Sequence, residues 1–177
     1  NLTMQKIIVG NWKLNLNHLE AIAHLQKINY SLSDKILSDV NVVVSPSHTS
    51  LRSIQTVIDT DNLKIETAAQ DVSQYEDGSY TGEVSALQLS KLNIKWAIIG
   101  HSERRINFYE TNEIINTKLK NLLKNKIQPI LCIGEDINQR DQNKHIDTCI
   151  KQLQETLKGI RKDNLQKVVV AYEPIWA

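Results

Sequence analysis

The chain has 177 residues, 21 Lys and Arg against 20 Asp and Glu, and 41% hydrophobic with 5% aromatic residues. A formal charge of +1 is too weak a field to argue for nucleic acid or an anionic membrane surface as the principal partner. At this length about 70% of the surface exposed by the unfolded chain can be buried, so one core suffices without disulfides or a metal, and residues 1–177 read as a single domain.

Cys132 and Cys149 are too few and too unpatterned for a disulfide framework or a zinc site, which points to a reducing compartment, the cytoplasm. No apolar run approaches the roughly 20 residues of a membrane span, and the first strand-like segment, at Lys6, leaves no room for a signal peptide. The sequons at Asn1 and Asn29 are then expected to carry nothing. Met4, the only methionine, is a candidate for the true start, with residues 1–3 as upstream read-through.

Taken in chain order, β-branched and apolar runs predict strands at 6–9, 41–44, 63–65, 96–99, 129–133 and 168–171. Stretches with apolar residues three and four apart lie between them, at 19–25 and 114–123, and predict helices. Five intervals separate residue 7 from residue 168, about 32 residues each, and strand–helix alternation at that period implies right-handed crossovers and a parallel sheet. The expectation is five βα units and a sixth strand. Near-continuous apolar runs are what parallel strands covered on both faces look like, and the first and last strands carry no bulge, proline or inward charge to protect an edge. A closed barrel would give both a neighbour, but a (βα)8 barrel takes about 250 residues, so the chain reads as two units short; an open doubly wound sheet is the alternative.

Chemistry in parallel α/β folds sits at the carboxyl ends of strands. After the first predicted strand, Val9-Gly10-Asn11-Trp12-Lys13-Leu14-Asn15 puts a lysine beside an indole, where an ammonium could meet a phosphate or a developing oxyanion; a solvated surface lysine is the plainer reading. After the fourth, Ile99-Gly100-His101-Ser102-Glu103-Arg104-Arg105 places His101 against the positive end of a helix begun at or near Ser102. That position biases an imidazole towards the neutral form, suited to donating a hydrogen bond to a carbonyl; a satisfied, partly buried histidine is the alternative. His18, His24, His48 and His145 read as surface or capping residues. After the sixth, Ala171-Tyr172-Glu173-Pro174-Ile175-Trp176-Ala177 holds Glu173 extended before a proline, among bulky neighbours that would raise its basicity by desolvation. A general base is the functional reading and a buried ion pair the structural one. No nucleotide-binding glycine loop, no nucleophile elbow and no metal-spaced cluster occurs. A lysine, a neutral-leaning histidine and a desolvated glutamate on three strand ends suit proton abstraction beside a carbonyl, with the enediolate stabilised electrostatically.

Six stretches in order, the three just quoted with Ala69-Gln70-Asp71-Val72, Tyr80-Thr81-Gly82-Glu83-Val84-Ser85 and Leu131-Cys132-Ile133-Gly134-Glu135, resemble the motifs of the triosephosphate isomerase family. The resemblance implies an α/β fold of the TIM (β/α)8 barrel type, here covering strands 1 to 6 and helices 1 to 5. It implies interconversion of dihydroxyacetone phosphate and D-glyceraldehyde 3-phosphate, a step of glycolysis and gluconeogenesis, with no cofactor and no metal. By the same resemblance Glu173 is the base, His101 the electrophile, and Lys13 and Asn11 bind substrate. Glu103 supports the site and Cys132 packs behind Glu173. The loop from Gln70 to Glu83 would clasp a second copy through Tyr80, Thr81 and Gly82, making a homodimer. Ser79, and Ser45-Pro46-Ser47 with its single proline, depart from the family pattern away from these positions. In the family a lid and two further strands that grip the substrate phosphate follow Trp176-Ala177, so the chain as given is expected to be nearly inactive alone. A different barrel enzyme for phosphorylated sugars and a non-catalytic interaction role are the competing classes.

Overall fold

The computed structural model describes residues 5–177; the candidate start at Met4 and the sequon at Asn1 lie outside the described residues. In chain order the elements are β1 (Lys6–Asn11), α1 (His18–Ser31), α2 (Asp34–Asp39), β2 (Val40–Ser45), α3 (His48–Thr60), β3 (Glu66–Ala69), α4 (Ala86–Lys91), β4 (Trp96–Ile99), α5 (Ser102–Asn107), α6 (Asn112–Lys124), β5 (Gln128–Ile133), α7 (Ile137–Asp141), α8 (His145–Thr156), α9 (Lys162–Leu165) and β6 (Val169–Tyr172). Strand and helix alternate as expected, and all five connections are helical. The helix count differs, because α2, α5, α7 and α9 add short helices within those connections. Three of them start on a side-chain cap, from Ser33, His101 and Asp136, a local signal independent of apolar periodicity.

The chain forms two compact units: residues up to Gln70 with Leu89–Trp96, and Asp71–Gln88 with Ala97–Ala177. In the first, β1 and β2 pair in parallel from Lys6↔Val40 to Asn11↔Ser45, and β2 pairs in parallel with β3 at Val43↔Glu66 and Val44↔Thr67. A capping box starts α1: Asn17 Oδ1 accepts from the Glu20 amide at 2.9 Å, and Glu20 Oε1 from the Asn17 amide at 3.1 Å. From there Ala21 and Leu25 point into a cluster with Val44, Ile54, Ile58 and Ile65, which binds α1 and α3 to the sheet. The third strand begins later than predicted. Asn62, at φ +50°, and the bond from the Leu63 amide to Ile58 O spend residues 62–65 on leaving α3, and Ile65 is buried as a plug of that cluster.

In the second unit β5 and β6 pair in parallel, Ile130↔Val169 to Ile133↔Tyr172. Residues 97–99 of β4, which belong to this unit, are buried, as are all of β5 after Gln128. Thr111 caps α6, whose Ile115, Leu119 and Leu122 form one fully buried stripe, each side chain contributing about 1.5–3 kcal/mol. The reading of β1 and β6 as covered on both faces is corrected: exposure alternates along both, and Ile8 and Val170 keep 61% and 45% of their surface. A charge cluster ties the segment after β3 to α5 and α6. Lys118 Nζ pairs with Asp71 Oδ1 at 2.8 Å and with Glu110 Oε1, while Arg104 Nε lies 3.1 Å from Asp71 Oδ2 and 3.3 Å from Glu110 Oε2.

Candidate active site

At the end of β1 the backbone turns sharply. Asn11 Oδ1 accepts the Lys13 amide at 2.9 Å, and Lys13 sits at φ +54°, a left-handed conformation that a β-carbon disfavours. Gln70, just past β3, supports the turn from below: its Nε2 donates to Lys13 O at 2.8 Å and Ser45 O at 3.0 Å. The Trp12 amide donates to Ser45 O, and its indole meets the His24 ring edge-on at 5.0 Å. Asn11 and Lys13 are thus one structural piece, with the lysine exposed at a strand end.

His101, Glu103, Cys132 and Glu173 come together in the second unit. His101 is itself the N-cap of α5, and Ser102 is the first helical residue. The Glu103 amide donates to His101 Nδ1 at 3.1 Å, so the proton of the neutral ring sits on Nε2. That Nε2 faces Glu173 Oε2 at 3.6 Å. A ring N–H donor and a carboxylate at this spacing can address two adjacent atoms of one small molecule, the donor a carbonyl oxygen and the carboxylate a C–H beside it. His101 is buried and Glu173 is not: 56% of the glutamate side chain is exposed. The expected desolvation by its neighbours is therefore corrected. Tyr172 and Trp176 turn instead to Glu135, donating from Oη at 2.6 Å and from Nε1 at 2.8 Å. Burial alone would raise the Glu135 carboxyl, but these hydrogen bonds outweigh it and hold the group below the ordinary carboxylate range.

Backbone contacts hold Glu173 against β5. Its amide donates to Ile133 O and the Ile175 amide to Glu135 O, both at 2.9 Å. Between those acceptors lies Gly134, where a β-carbon would stand 1.8 Å from Glu173 O, so glycine is required by close approach. Behind them Arg105 joins the ends of β4 and β5, donating to Gly100 O at 2.7 Å and Cys132 O at 3.2 Å. Burial pushes the Cys132 thiol up to about 11; the Glu173 carboxylate adds to the shift and Arg105 opposes it. Gly100, Ser102, Arg105, Cys132, Gly134 and Glu173 share the walls of one narrow pocket.

The loop after β3 is closed at its neck by the bond from the Ser73 amide to Val84 O. Near its tip Tyr75 and Tyr80 stack at 3.5 Å, Thr81 is exposed, and Gly82 takes φ +89° in the turn that returns the Glu83 amide to Tyr80 O. Sequence reasoning assigned no role to Gln70, Arg105, Glu135 or Gln152; the first three sat inside quoted motifs, and Gln152 had no local signal. Among the described residues no group of three His, Cys, Asp or Glu is placed to hold a metal ion. No described helix is long and apolar enough to cross a membrane.

The triosephosphate isomerase family model matches residues 6–177. The triosephosphate isomerase of Saccharopolyspora erythraea is 48% identical over 176 residues, which is 99% of this chain and 67% of that protein. Those of Streptomyces avermitilis and Streptomyces coelicolor are each 46% identical, covering 97% and 99% of the chain and 66% and 68% of their own lengths. The chain thus spans about two thirds of the length of the curated relatives it matches. A parallel α/β chain with a ring N–H facing a carboxylate at two strand ends, matched from its first strand to its last residue, belongs to the triosephosphate isomerase family of isomerases.

Proposed function

We propose that this chain carries the proton-transfer machinery of the interconversion of dihydroxyacetone phosphate and D-glyceraldehyde 3-phosphate, a reaction of glycolysis and gluconeogenesis. The observation that carries the reading is the pair His101 and Glu173, 3.6 Å apart, with His101 Nδ1 committed to the Glu103 amide. Glu173 takes a proton from the carbon beside the carbonyl, and His101 Nε2–H stabilises the negative charge that develops on the carbonyl oxygen. The same carboxyl then returns the proton to the neighbouring carbon while the hydroxyl proton passes from the one oxygen to the other, so the reaction balances within the substrate and needs no redox partner. Lys13 supplies positive charge for the phosphorylated enediolate and Asn11 shapes the turn that presents it, while Glu103 fixes the imidazole and Cys132 packs behind the base. We take residues 1–177 as one partial barrel domain, acting as a cytoplasmic homodimer joined through Tyr80, Thr81 and Gly82, with a small triose phosphate as its ligand.

The test is Glu173→Gln in the protein as its full reading frame encodes it. Loss of a general base should lower kcat by roughly 10²- to 10⁴-fold while KM changes little. Turnover in D2O should place deuterium on the product carbon in the parent protein. Parent-like kcat in the variant would remove Glu173 from this role.

A further inference from the structure

We propose that Gln152 is a positioning residue for Glu173, acting through the peptide of Gly134; this rests on the reading of Glu173 as the base. The carboxamide of Gln152 meets both polar atoms of one residue: Oε1 accepts from the Gly134 amide at 2.9 Å and Nε2 donates to Gly134 O at 3.2 Å. Gly134 is buried just past the end of β5, where its backbone groups need partners other than water. A side-chain carboxamide is a match for a peptide because it offers one donor and one acceptor at the same spacing.

What makes this clamp bear on the site is the position of Gly134 between the two carbonyls, Ile133 O and Glu135 O, that hold the amides of Glu173 and Ile175. The Gly134 α-carbon also lies so close to Glu173 that no β-carbon fits. A shift of Gly134 therefore moves the acceptors of the base-bearing segment and the wall it rests on together. Gln152 is in turn held from the helix side. Asn112 Nδ2 donates to Glu155 Oε2 at 2.8 Å, and Asn116 Nδ2 donates to Thr156 O at 2.8 Å and Lys158 O at 2.9 Å, which fastens the last turn of α8 to α6. The line of support runs from α6 to α8, through the Gln152 carboxamide to Gly134, and from there to Glu173.

Gln152→Met keeps the length of the side chain and removes both hydrogen bonds; Gln152→Glu keeps the acceptor for the Gly134 amide. In the protein encoded by the full reading frame, Gln152→Met should lower kcat by roughly 10- to 100-fold, the cost of misplacing a reacting group by a fraction of an ångström to an ångström, with KM within about twofold. Gln152→Glu should lose less. Deuterium exchange read by mass spectrometry should accelerate about tenfold over 131–136 and 172–176 and stay at the parent rate over α6. Parent-like exchange over 172–176 in Gln152→Met overturns the proposal, and so does acceleration that spreads equally to α6 in both variants. Glu173→Gln assayed in parallel separates the two readings. If it is inactive while Gln152→Met keeps the parent kcat, the positioning role fails. If it turns over normally, the base reading fails, and exchange over 172–176 in Gln152→Met still decides whether Gln152 holds that segment.

Discussion

Replacing Gly134 by alanine adds a single methyl group where the structure leaves no room. The β-carbon would stand 1.8 Å from Glu173 O and 2.7 Å from its carbonyl carbon, against the 3.0 Å below which such contacts essentially do not occur. Opening the first contact from 1.8 Å to 3.0 Å requires 1.2 Å of travel. The atoms met are backbone, so no flexible side-chain end can yield. A displacement near 1 Å of a reacting group costs about 10²-fold in rate, or about 2.7 kcal/mol of transition-state stabilisation. Overpacking costs about 1–3 kcal/mol of stability, offset by about 0.4–1 kcal/mol because alanine restricts the unfolded chain more than glycine does. The net loss of stability is thus smaller than the loss in catalysis. Steady-state isomerase kinetics beside a urea melt would show kcat falling about a hundredfold with KM little changed and a loss of stability of about 2.6 kcal/mol at most. A variant with the parent kcat would refute the idea that Glu173 is held in place by its contact with Gly134.

The hydrogen bonds to Glu135 favour its ionised form, so their stabilisation is present above the ordinary carboxylate range and lost as pH falls through the lowered value. Glu135→Gln should therefore be less stable than the parent at neutral pH, with the gap in urea midpoints closing under acid; a pH-independent gap would contradict this. For Cys132 the sign is opposite. Its thiol is raised from the ordinary value of 9.0 to about 11, so the stability it contributes is complete below pH 9 and lost as pH rises through 11. Cys132→Ala should flatten the alkaline side of the stability profile in that window. A thiol reagent at pH 8 should reach Cys132 only after denaturation, whereas the partly exposed Cys149 reacts earlier, and rapid labelling at Cys132 itself in the native protein would refute its burial. Lys118→Met removes the more deeply buried of the two cations shared by Asp71 and Glu110 and leaves them Arg104 alone, so it should cost about 1–3 kcal/mol in a urea melt. Lys118→Met with Glu110→Gln should recover part of that, and a single-variant loss below about 1 kcal/mol would contradict the account.

How much of this could be read from the residues depended on whether each signal was local. Trp-Ala-Ile-Ile at β4 is apolar at every position, and its observed bounds match the predicted ones. Glu-Thr-Ala-Ala at β3 is poor strand material by composition, and it is a strand because β2 lies alongside; the β-branched Ile65 drew the prediction three residues early. The positions of Lys13, His101 and Glu173 at strand ends were legible because parallel strands put their chemistry there. The partners of Tyr172 and Trp176 were not: their bulk pointed to a dry setting for the adjacent Glu173, whereas their polar tips serve a carboxylate 37 and 41 residues earlier. Gln152 looks like any surface residue of an amphipathic helix until the rotation of α8 brings it to Gly134.

His101 performs two tasks with one ring, capping α5 through Nδ1 and offering an N–H through Nε2. Asparagine and aspartate are better helix caps than most residues, and each is a single base change from histidine. Drift at position 101 therefore falls first into chains that keep the helix and no longer present a ring N–H. Such chains would pass any screen for expression or folding. Selection for solubility alone cannot hold this histidine, and a library enriched only for well-behaved protein should accumulate Asn and Asp at 101.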